Sequence, residues 1–140
     1  MKPSFKSIIT AAAVAGAISA VVNSILYFIF HATGVIPDDV YVQENQPLTL
    51  LPVVISSFVP SLLAGVVFYL FCRYTRNGFR YFSILAIILL LLSLANPFMA
   101  IKNIPLSMGI ALNVMHIVVG ASLLYFFNRI KAADYKIALR

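Results

Sequence analysis

Asn23, Ser57, Asn96, Asn113 and His116 are the side chains best placed to do chemistry, because each interrupts a long apolar stretch. Amides, hydroxyls and imidazoles bind through hydrogen bonds, and hydrocarbon penalises them unless they find partners. Ser56, Ser61 and Ser93 belong to the same set. Helix rise puts Asn23 about 22 Å and Asn96 about 21 Å from the inner edge of their stretches. It puts Asn113 about 9 Å, Ser57 about 12 Å and His116 about 14 Å from the outer edge. All therefore fall between the midplane and the outer third. Spacing also gives them common faces. Asn113 and His116 share one side of their helix, a stripe that Gly109 and Gly120 extend. Asn23 pairs in the same way with Tyr27, Ser57 with Ser61, and Ser93 with Asn96.

Three uses of such a polar layer stand open. The plainest is hydrogen bonding between helices, at roughly 0.6 kcal/mol per bond on average. The second is a pocket for a small molecule or lipid headgroup, and the third a proton or ion path. Against the path, no Asp, Glu, Lys or Arg lies within a stretch, whereas ion-coupled transporters usually carry one. His116 is the one deep group that can change charge near neutrality. His31, the other histidine, lies near the outer surface, so the two do not share the level that two axial haem ligands need. One imidazole and no carboxylate make no metal site, and no cofactor is expected. Ser56 or Ser57 with His116 resembles a nucleophile and base, but no acid orients the histidine. No catalytic residue is assigned.

The elements that must position these residues are four apolar stretches, about 8–30, 49–72, 82–101 and 107–128. Each is long enough to cross a hydrocarbon core of about 30 Å. The whole chain of 140 residues is 62% hydrophobic, with a mean hydropathy of +1.00, too apolar for a soluble surface. The expected fold is all-α: a single membrane domain over 1–140, forming an antiparallel four-helix transmembrane bundle. An outer loop would cover 31–48 and a cytoplasmic tail 129–140.

The net charge of +6 does not indicate a nucleic-acid partner, because the basic residues sit at the ends of apolar stretches and form no basic face. With the N-terminus inside, Lys2, Lys6, Arg73, Arg76, Arg80, Arg129, Lys131, Lys136 and Arg140 are cytoplasmic and only Lys102 is outside. That asymmetry predicts a multi-pass protein of the cell membrane with both termini cytoplasmic. Asp38, Asp39 and Glu44 fall in the outer loop. Cys72 is the single cysteine, so no intrachain disulfide forms. It reads as a small packed residue, with a lipidated or redox-active thiol as the alternative. Lys2, Lys6 and the small residues near Ala15–Gly16–Ala17 imitate a signal peptide. Apolarity continuing through Ile25–Phe30 is too long for one, so the first stretch is expected to be retained.

Within the first stretch, Ala12, Gly16 and Ala20 form one small-residue stripe and Ala11, Ala15 and Ser19 another. Such stripes let helices approach closely. One is expected to serve the bundle and the other a second copy, as a homo-oligomer. Pro60 should kink the second helix, and Asn96–Pro97 should bend or unwind the third. Val40–Tyr41–Val42 reads as a surface or extended segment, Lys102–Pro105 as a tight turn, and the tail as an amphipathic extension.

The asparagine-bearing first stretch (Asn23), the Leu92–Ser93…Pro97 ending of the third, and Met115–His116 followed by Arg129 resemble a family of small bacterial four-span membrane proteins known only as a domain of unknown function. The resemblance covers most of the chain. It implies an integral membrane protein of unassigned activity and carries over no catalytic residue. The expected function is non-enzymatic: binding of a lipid, an apolar small molecule or a membrane partner through the polar layer, within the lipid bilayer. The rival class is a minimal transporter or channel subunit.

Overall fold

Ser4 starts the first helix. Its backbone is extended, and its Oγ accepts a hydrogen bond from the Ser7 N–H at 3.1 Å, satisfying one of the donors that a helix start leaves without a partner. In the computed structural model, which describes residues 3–38, 41–43, 46–101 and 104–138, this helix, α1, covers Phe5–Ala32. It is followed by α2 (Leu50–Tyr74), α3 (Gly78–Ala100) and α4 (Leu106–Ala138). Between α1 and α2, β1 (Tyr41–Gln43) and β2 (Gln46–Pro47) form a short antiparallel pair. The four helices are long and apolar enough to cross a membrane. Lys2, Asp39, Val40, Glu44, Lys102 and Arg140, which enter the sequence reading, lie outside the described residues.

The prolines leave the helices continuous. Pro52 occupies the first turn of α2, where its missing N–H has no acceptor within the helix. Pro60 and Pro97 each delete one interior bond, yet α2 continues to Tyr74 and α3 to Ala100. The predicted unwinding at Asn96–Pro97 is therefore absent. Pro97 stands in the last turn, and its carbonyl accepts from the Ile101 N–H at 3.2 Å. The basic tail continues α4 as helix to Ala138.

α1 ends in a tight cap. Gly34 adopts φ 73°, left-handed backbone that glycine enters without penalty. The N–H groups of Val35 and Ile36 then return to the Phe30 carbonyl at 2.8 and 3.1 Å, which drives Ile36 into the core at 1% exposure. His31 Nδ1 donates to the Ile36 carbonyl at 3.1 Å, and its Nε2 lies 3.4 Å from Asp38.

Small residues set the distance between α1 and α2. A Cβ on Gly65 would stand 2.7 Å from Ala12 Cβ, and one on Gly16 would stand 3.0 Å from Ser61 Cβ. On the other flank of α1, Ser122 of α4 donates to the Ala15 carbonyl at 3.2 Å. Ala12, Ala15, Gly16, Ser19 and Ala20 are all buried within one chain. α1 lies between α2 and α4, and both stripes pack there.

Two hydrophobic clusters form the core. The first joins Ile8 and Ala12 of α1, Phe68 of α2, Phe82 of α3, and Leu123 and Phe127 of α4, with Cys72 packed against it. The second joins Tyr27, Ile36, Val53, Met108 and Met115 with Ile101, the residue that caps α3. No α3 residue before Ile101 belongs to this second cluster among the described residues. Instead α3 leans on α4. The Phe98 ring fills the space where a Gly109 side chain would be, and Leu90 closes over Gly120. α3 thus packs with α2 at the first cluster and leaves a gap beside α2 further along.

Candidate functional site: a cleft with a polar floor

That gap is a cleft of about 640 Å³ walled by α2, α3 and α4, within the range of small-molecule sites. Most of its wall is apolar, including Leu63, Leu89 and Leu90. Its polar side chains are Asn23, Ser56, Ser57, Ser93, Asn96 and His116, and no charged side chain lines it.

Asn23 is the centre of the floor. It is 2% exposed and reaches from α1 to both neighbours. Its Nδ2 donates to Ser57 Oγ at 2.9 Å and to the Met115 carbonyl at 3.2 Å. The carbonyl can only accept, and the Ser57 proton is already directed to the Val53 carbonyl at 2.8 Å. Both partners therefore require the amide nitrogen, which assigns the amide orientation. The Asn23 Oδ1 is left buried with no hydrogen-bond donor.

The other polar groups mostly donate to their own helices. Ser56 bonds the Val53 carbonyl at 3.2 Å and Ser93 the Leu90 carbonyl at 2.7 Å. His116 Nδ1 lies 2.8 Å from the Leu112 carbonyl. A carbonyl only accepts, so Nδ1 carries the proton, and in the neutral ring Nε2 is an acceptor. Asn96 is exposed within the structure and presents its amide from the α3 wall.

Four of the five singled-out residues, Asn23, Ser57, Asn96 and His116, thus line one cleft. Asn113 is not among its lining residues. Three residues along a helix leave two positions about 60° apart in azimuth. His116 lines the cleft, while Asn113 does not and its Oδ1 is buried without a donor. The Met115 carbonyl was not legible as a partner of Asn23, because a backbone acceptor carries no residue-type signal. Ser57 and His116 both bond within their own helices rather than to each other. Among the described residues, no three His, Cys, Asp or Glu side chains are grouped to hold a metal ion.

Four long apolar helices around a core of two clusters, with buried amide and hydroxyl groups at their centre, define a small multi-pass helical membrane protein. The chain belongs to a family of unknown function, DUF6069, whose model matches residues 3–133. No curated protein and no solved structure matches it.

Proposed function

We propose that this protein binds an amphiphile or apolar small molecule in the cleft between α2, α3 and α4, within the cell membrane. The observation that carries the reading is the buried Asn23, whose Oδ1 has no donor and which lines a mostly apolar cavity with five other polar side chains. A buried amide oxygen without a donor calls for a partner, and of the two such asparagines Asn23 is the one that lines the cleft. Cleft residues Ser56, Pro60, Leu63, Leu89 and Asn96 are exposed, which gives the cavity a side opening between α2 and α3 through which a lipid-dissolved molecule can enter.

Labelling tests this. A photoactivatable acyl probe in proteoliposomes should react saturably with cleft residues such as Leu63 and Leu89, in excess over the α1 face at Val21 and Ile25. Ser93→Phe should reduce the cleft labelling at least about tenfold with little change in stability, because Ser93 bonds only its own helix. Equal, unsaturable labelling of both faces would overturn the reading.

We further infer an antiparallel bundle with both termini cytoplasmic. The first cluster links the beginning of α1, the end of α2, the beginning of α3 and the end of α4, which supports alternating directions. The cations gather with it: Arg73 is in the last turn of α2, Arg76 in the α2–α3 connection and Arg80 in the first turn of α3, and Lys131 Nζ sits 5.3 Å from the Phe79 ring centre. The cation excess belongs on the cytoplasmic side. In a Cys72→Ala background, cysteine at Asp38 should react with an impermeant thiol reagent in intact cells, and cysteine at Asn77 should not. The opposite pattern would invert the orientation.

A further inference from the structure

Resting on the binding reading above, we propose that the cleft takes an uncharged, hydroxyl-bearing amphiphile, such as a long-chain lipid alcohol, and discriminates against ligands that only accept hydrogen bonds and against charged headgroups. The argument is the hydrogen-bond polarity of the cleft. Both Nδ2 hydrogens of Asn23 are engaged, by Ser57 and by Met115. The hydroxyl protons of Ser56, Ser57 and Ser93 point into their own helices, as does the Nδ1 proton of His116. Five of the six polar side chains therefore have their donors committed. They offer lone pairs: the oxygens of Ser56 and Ser93 and His116 Nε2. Among the described residues of the cleft, Asn96 alone has an amide N–H₂ without a partner.

A surplus of acceptors needs a donor. A ketone, ether or ester would place its lone pairs against those of the cleft and leave both sides unsatisfied, which is the costly outcome in a low-dielectric site. A carboxylate or phosphate would do so with a full charge. An ammonium group would supply donors, but no Asp or Glu lines the cleft to balance it. A hydroxyl supplies the proton without the charge, and the apolar wall accommodates its chain.

The test uses the intact protein in proteoliposomes and three photoactivatable probes of equal chain length: a primary alcohol, its methyl ether and the matching alkylammonium. The alcohol should label the cleft saturably, at least about tenfold more tightly than either analogue, as expected for one unsatisfied buried polar group. Asn96→Leu removes the one uncommitted donor, so it should widen the alcohol-to-ether affinity ratio, and an unchanged or smaller ratio would count against the acceptor surplus. Equal saturable affinity for all three probes would overturn the hydroxyl preference and leave the binding reading standing. Absence of saturable labelling by any of them would overturn both. A cross-link between two copies through cysteine at Leu63, with the alcohol excluded, would assign the cleft to a second chain and also overturn the proposal.

Discussion

Gly65→Leu is expected to destabilise the bundle by about 1–3 kcal/mol, or to prevent folding, because the added carbons enter space that α1 already occupies. The first of them would stand 2.7 Å from Ala12 Cβ and 3.3 Å from Ile9 Cδ1. The Ile9 side chain can turn aside, but Ala12 cannot. Ala12 is fully buried, and its Cβ is fixed by the α1 backbone. The helices must therefore separate, and separation strains the Asn23–Ser57 bond that joins the same two helices. Reversible unfolding in mixed micelles measures the effect. A second arm identifies its cause: in the Ala12→Gly background the cost of Gly65→Leu should fall by at least about 0.5 kcal/mol, the sign of direct contact. Wild-type stability for Gly65→Leu would show that α1 and α2 do not pack along this seam.

Phe68→Ala is expected to cost about 2–4 kcal/mol. Phe68 is 1% exposed and touches rings from two other helices. It stacks on Phe127 of α4 at 4.4 Å and meets Phe82 and Phe79 of α3 at 5.1 and 6.2 Å. Truncating a buried phenylalanine in a soluble core costs about 3–5 kcal/mol. The lower range follows here because the separated helices would still lie in hydrocarbon, so lost packing rather than exposure to water sets the cost. The consequence extends to the cleft. The first cluster is where α3 is tied to α2, and Phe82 of that cluster also lines the cleft. Saturable labelling at Leu63 and Leu89 should therefore weaken along with stability, while Phe68→Leu, which keeps most of the volume, should lose less than half as much of both. A change below about 0.5 kcal/mol for Phe68→Ala, the level of an unremarkable surface substitution, would remove Phe68 from the core.

Much of this arrangement could be read from residue order. Apolar length is a one-dimensional property, and a backbone in hydrocarbon must satisfy its own hydrogen bonds, so four long apolar stretches mean four helices. Depth along a helix is also linear. Counting residues from each end put Asn23, Ser57, Asn96 and His116 in one layer, and those four line the cleft. Spacing gave shared faces, but which neighbour each face meets was not legible, because a side chain facing lipid and one facing another helix are equally apolar in this environment. Packing decided that both small stripes of α1 are used inside the chain, one against α2 and one against α4. Packing also decided that α3 leans on α4 at Gly109 and Gly120, and that Asn113 does not line the cleft. Those outcomes depend on the shapes of surfaces that meet only after the helices have turned toward one another. Residue order determined the helices and the depth of their polar groups; close approach at a few small residues determined which of those groups face a common space.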